Sequence, residues 1–97
     1  MHEGAVCREI MSIVEESAKR NGIGKVHEIV LAVGPWAGIH EEQLNFYFDI
    51  LRKGTCMSEA VIRVEKEETI TGTSQMYIKN YRGESYEDHF CQRKRTE

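Results

Sequence analysis

Paired cysteines are missing from this chain, and their absence excludes several classes of protein at once. The three cysteines, Cys7, Cys56 and Cys91, are widely separated and form no C-x-x-C pair. An odd count at such spacings is not a disulfide framework and suits a reducing compartment. A tetrahedral thiolate zinc site cannot be assembled from it within one chain, so zinc is not expected. Long apolar runs are also missing: no stretch of about 18 apolar residues occurs, and no membrane span is expected. Met1-His2-Glu3-Gly4 lacks the basic and apolar segments of a secretory leader, which makes the cytoplasm the expected location. Excess positive charge is absent too. The formal net charge is -3, which gives no basic field for a phosphate backbone, and nucleic acid is not an expected partner. No nucleophile–base constellation, phosphate loop or suitable acid pair is present, and an enzyme is not expected.

What is present is an ordinary globular composition, 40% hydrophobic and 30% charged over 97 residues. That length holds one domain, which buries only about 60–65% of its unfolded surface. Residues 5–20 form an expected amphipathic helix, with Val6, Ile10, Ile13, Val14 and Ser17 on one stripe, closed by Asn21-Gly22. Lys25 to Val33 is rich in β-branched residues, and its run from Ile29 to Val33 hardly alternates, which predicts a central strand. Gly34-Pro35 ends it, since proline cannot donate to a ladder. A second helix is expected from about His40 to Lys53. Leu44, Tyr47, Phe48 and Leu51 form its apolar stripe, Glu41 and Glu42 suit its N-terminal dipole, and Gly54 follows it.

Two further strands are expected at about Ala60–Lys66 and Gln75–Arg82. They are expected to oppose each other directly, with Ile62 and Val64 sharing the core face with Met76 and Ile78, which requires an odd connection of three or five residues containing Gly72. A competing register turns Tyr77 and Tyr81 inward instead. The expected fold is α+β in the order α-β-α-β-β, two helices packed on one face of a three-stranded sheet. The domain would span residues 1–83, with a polar tail at 84–97.

Several stretches of this pattern resemble a known family. They are Met1-His2-Glu3 opening a helix, the helix end Ala18-Lys19-Arg20-Asn21-Gly22, and the strand from Val26 to Gly34. The small-residue turn to Gly38, Leu44 to Phe48, Lys53-Gly54-Thr55 and Gln75 to Lys79 continue it. In order and spacing the chain is similar to the HypA hydrogenase-maturation metallochaperones, over residues 1 to about 67 and again in the last strand. The resemblance implies a non-catalytic nickel carrier. Its implied partners are the large subunit of NiFe hydrogenase and a maturation GTPase, and its nickel ligands would lie at the extreme N-terminus. The chain departs from that pattern between the last two strands, where the family carries a zinc module with two C-x-x-C pairs. Here the interval is Glu67-Glu68-Thr69-Ile70-Thr71-Gly72-Thr73-Ser74. Gly4-Ala5 also replaces a bulkier residue and a serine.

The donors at the chain start suit Ni(II), which favours tetragonal nitrogen and oxygen ligands. The Met1 amine, the amide nitrogen and imidazole of His2, and the Glu3 amide can close fused chelate rings, with the Glu3 carboxylate as an outer oxygen. His40, at the start of the second helix, is a further candidate ligand, at a position that is often acidic in the family. His27, inside a strand, reads as a packed or half-exposed residue, and His89 with Cys91 as a weak donor pair in a tail. Trp36 either packs over the sheet end or meets a partner; Tyr47 and Phe48 read as core, and Cys7 as a small buried residue. A second function stays open: a zinc-less interaction or regulatory module without metal delivery. A homodimer is possible under either reading, because an open three-stranded sheet has edges.

Overall fold

The computed structural model describes residues 3–70 and 76–85. Its elements are α1 (Glu3–Arg20), β1 (Ile23–Val33), α2 (Glu41–Leu51), β2 (Val61–Lys66) and β3 (Met76–Ser85), the expected order with two helices on a three-stranded sheet. On α1 the buried residues are Val6, Cys7, Ile10, Val14 and Ala18, which recur at helical spacing along one stripe. Ile13, expected on that stripe, is 53% exposed and stands at its margin. The helix closes as anticipated. Gly22 takes φ 71, and the Asn21 side chain donates to the Ser17 carbonyl at 2.8 Å.

The sheet order is β2-β1-β3, so β1 is central. β1 pairs with β2 in parallel and with β3 antiparallel. The direct β2–β3 pairing expected from the sequence is therefore not formed, and the three- or five-residue connection deduced from it does not hold. The physical reason lies in β1. Ile29, Val30, Leu31, Ala32 and Val33 are all buried, and a strand that apolar is best covered by a ladder on each side.

The face-sharing expectation survives by another route. Ile62 and Val64 lie opposite Ile29 and Leu31, while Ile78 and Met76 lie opposite Leu31 and Val33. A register shift then skips Lys79, so that Tyr81 falls opposite Ile29 on the same inner face. Neither β2–β3 register is formed, and the inward set of β3 combines Met76 and Ile78 from one with Tyr81 from the other. Tyr77 pairs with Ala32 on the outer face and is 48% exposed.

Two more irregularities in the β1–β3 register skip Gly24 and His27. Here the strands approach so closely that a Cβ on Gly83 would lie 2.2 Å from the Lys25 carbonyl oxygen. Only glycine fits. β3 continues to Ser85, opposite Ile23, and so takes in the first two residues of the segment read as tail.

A row of side chains from α2 covers the outer edge of β2. Asn45 donates to the Ile62 carbonyl at 2.8 Å and accepts from the Ile62 amide at 2.9 Å. Glu41 accepts from the Val64 amide at 2.8 Å, and Arg52 donates to the Ala60 carbonyl at 2.8 Å. The helix thus supplies the partners that a neighbouring strand would offer, which blocks edge-to-edge pairing there.

Candidate metal site

Chain direction brings the starts of both helices to one end of the molecule. Ser17 bonds Tyr81, which pairs with Ile29, whereas Glu9, Ile10 and Ile13 share a groove with Leu31, Met76 and Ile78. Going backward along α1 therefore means going forward along β1. α2 returns the chain from the end of β1 to the start of a parallel β2, and so also runs against the sheet. The side-chain row agrees, with Glu41 at Val64, Asn45 at Ile62 and Arg52 at Ala60. α1 and α2 both run against the sheet and are in contact with each other. Gly4 of α1 meets the Tyr47 ring, and the Cys7 thiol donates to the Leu44 carbonyl at 3.2 Å.

This end is where β1 finishes. Ala37 donates to the Gly34 carbonyl at 3.1 Å in the expected turn, and Gly38 takes φ 70. Trp36 projects from the turn, 77% exposed. His40 follows as the N-cap of α2, with φ -116 and ψ 131 and no side-chain bond to the helix. Its imidazole is exposed and uncommitted to capping. Two helix N-termini point the same way, so unpaired N–H groups and partial positive charge gather there. That field favours anionic or deprotonated donors over protonated ones. Glu41 and Glu42 occupy the first turn of α2, and Glu67 leaves β2 at the same end by donating to the Val33 carbonyl at 2.8 Å.

Of the candidate ligands, His40 is placed at this end, and α1 begins at Glu3 beside it in the topology. Met1, His2 and the Glu3 side chain lie outside the described residues. Among the described residues no three His, Cys, Asp or Glu side chains converge on a point that could hold a metal ion.

The other candidates have structural roles. His27 contacts Glu84 at 2.6 Å across a strand irregularity and ties down the end of β3. His89 and Cys91 lie outside the described residues. Cys7 is fully buried, as expected. Cys56 is half-buried, and burial first, then the nearby Glu15 charge, raises its thiol above the ordinary value of 9.0. Such a thiol is a poor nucleophile and a poor metal ligand near neutrality. Tyr47 departs from its core assignment: its ring lies over Gly4 and stays 38% exposed. The sequence offered no signal for the Asn45 contacts, since an asparagine inside a helix reads as a solvated residue.

Residues 1–93 match the family model described as hydrogenase/urease nickel incorporation, metallochaperone, hypA. The chain belongs to the HypA family. Its relatives include the hydrogenase maturation factor HypA of Xanthobacter autotrophicus, 40% identical over 68 residues that cover 70% of this chain and 60% of that one. The corresponding factor of Paracoccus denitrificans is 36% identical over 64 residues, 66% of this chain and 57% of the relative. The match thus spans roughly three-fifths of each of those two HypA proteins. In three dimensions the chain is similar to the solution structure of the Ni metallochaperone HypA from Helicobacter pylori. The TM-score is 0.73 at 16% identity, covering 88% of this chain and 99% of that one. A second HypA solution structure gives 0.65 at 17% identity, covering 86% and 96%. At such identities the likeness establishes the HypA fold. No described helix is long and apolar enough to cross a membrane.

Proposed function

We propose that this HypA-family chain is a nickel carrier of hydrogenase maturation, without catalysis of its own. It binds one Ni(II) through the Met1 amine, the His2 amide and imidazole, and the Glu3 amide. His40 approaches from the neighbouring helix start. The observation that carries this reading is the shared direction of α1 and α2. It puts an exposed imidazole, free of any capping bond, at the same end as the start of α1. The helix dipoles at that end assist loss of protons from the amine and amides, which nickel binding requires.

Delivery takes place in the cytoplasm, to the hydrogenase large subunit, with a maturation GTPase as the accompanying partner. The exposed Trp36 beside the helix starts gives such a partner an anchor close to the metal. The chain has no C-x-x-C pair, so zinc is not part of the account. That same departure favours the second reading, an interaction or regulatory module that does not deliver metal.

Calorimetric Ni(II) titration at neutral pH separates the two. The carrier reading expects one ion per chain, at least tenfold weaker binding after His2→Ala, and a smaller loss after His40→Ala. It expects affinity to fall as pH drops below about 6.5, where imidazole takes up its proton. Equal affinity for the native protein and the His2→Ala variant would favour the interaction module.

A further inference from the structure

We propose that Tyr47 is a positioning residue for the nickel site: its ring, laid over Gly4, fixes the first turn of α1 and so keeps the donors just ahead of that turn in register. This role presupposes the nickel reading above and adds to it the residue that sets its affinity from the neighbouring helix. A helix start is weak by nature, because its first amides have no partner within the helix. Gly4 weakens this one further, since glycine gives up more backbone freedom than any other residue on entering a helix and offers no side chain to pack. Left to itself, such a turn frays. The candidate donor residues Met1, His2 and Glu3 stand directly ahead of Gly4 in the chain.

Tyr47 lies against this weak point. A Cβ on Gly4 would stand 3.7 and 4.0 Å from two carbons of the Tyr47 ring, so the ring occupies the space that a longer side chain at position 4 would claim. Phe46 packs edge-on against the ring, with centroids 5.4 Å apart and planes at 85°. One turn further into α1, the Cys7 thiol donates to the Leu44 carbonyl at 3.2 Å, a second tie between the same two helices. Tyr47 is 38% exposed, and among the described residues its hydroxyl makes no hydrogen bond. The ring is therefore neither a core residue nor a polar anchor; what it touches is the start of α1. Ordering that turn before the ion arrives removes from binding the entropy cost of ordering it afterwards.

Calorimetric Ni(II) titration of the untagged chain, joined to hydrogen exchange of the nickel-free protein, tests this. Tyr47→Ala should weaken nickel binding about fivefold, the loss expected when about one backbone residue must be ordered on binding. The visible absorption spectrum of the bound ion should stay the same, because its donors do. Without nickel, the Cys7 and Arg8 amides, which close the first turn of α1, should exchange faster while those of β2 keep their protection. Tyr47→Phe should match the native protein. Gly4→Leu added to Tyr47→Ala should recover most of the lost affinity, since the new side chain refills the space. Circular dichroism checks folding; should Tyr47→Ala fail it, Tyr47→Leu, which keeps an apolar but shorter side chain, takes its place. Native affinity in Tyr47→Ala, with His2→Ala still deficient, overturns the positioning role and leaves the nickel reading standing. Equal binding by the native protein and His2→Ala overturns both. A weakening that comes with an altered spectrum makes Tyr47 a ligand and overturns the role, as does one that Gly4→Leu fails to reverse.

Discussion

Replacing Asn45 by alanine removes both hydrogen-bond partners of Ile62 at once. In the native chain the asparagine donates to the Ile62 carbonyl at 2.8 Å and accepts from its amide at 2.9 Å. It also donates back to the Glu41 carbonyl at 3.1 Å, within its own helix. Ile62 is 1% exposed as a residue, but its backbone groups face the edge of the sheet, where water can partly reach them once the amide is gone. A fully buried orphan would cost about 1–3 kcal/mol for each group, so two half-rescued ones should cost about 2 kcal/mol. Better helix propensity returns about 0.5 kcal/mol. The net expectation is therefore a loss of about 1.5 kcal/mol, or roughly 6–12 °C in Tm for a domain of this size. Urea unfolding followed by circular dichroism gives the first figure. Hydrogen exchange gives the local one, the Ile62 amide losing protection before its neighbours in β2. A loss below about 0.5 kcal/mol, with the Ile62 amide still protected, would refute the idea that α2 side chains seal this edge. Asn45→Asp adds a check of sign. It keeps an acceptor for the amide but aims a carboxylate at the Ile62 carbonyl, so its deficit should shrink when acid protonates the introduced group.

Gly83→Ala should destabilise by several kcal/mol or prevent folding, because the added methyl would meet the Lys25 carbonyl at 2.2 Å; thermal unfolding reads this directly. Tyr81→Phe removes the 2.8 Å bond to the Ser17 hydroxyl while keeping the ring on the core, and should cost about 1 kcal/mol by urea unfolding. A double-mutant cycle with Ser17→Ala should find that cost shared between the two residues. Because burial lifts the Cys56 thiol above 9.0, its alkylation at neutral pH should be slower than that of a free thiol, with the rate profile displaced to higher pH. The same upward shift favours the folded state below the ordinary thiol value, and that contribution fades as pH rises through the raised one.

The element order was legible because each element carries its own local signal. The α1 stripe, the continuous apolar run of β1, the Leu44–Phe48 pair and the glycines at 22, 38 and 54 all act over a few residues. Strand order was not legible in the same way. Ile62, Val64, Met76 and Ile78 record which face is buried, but a face does not say which strand lies alongside, and inserting β1 between the two preserves every face. The switch at Lys79 is likewise invisible to a rule with period 2, since one skipped residue exchanges the inward and outward sets, and so Tyr81 and Ile78 share a face. Ile13 and Tyr47 were misplaced because an apolar stripe has a margin, and packing against one neighbour leaves that margin open. For the candidate site, the sequence could name donors but not their proximity. His40 and the start of α1 are brought to one end by two returns of the chain, a property of topology rather than of either segment.

The most direct test of the nickel account is to put a Gly-Ser-Gly extension ahead of Met1, long enough to keep the new amine out of the chelate rings of His2, and repeat the Ni(II) titration. The extension leaves every side chain in place but converts the terminal amine into an amide and moves the new amine out of register. The account predicts at least a tenfold loss of affinity, equivalent to about 1.4 kcal/mol, with folding unchanged by circular dichroism. Undiminished, stoichiometric binding by the extended chain would contradict it.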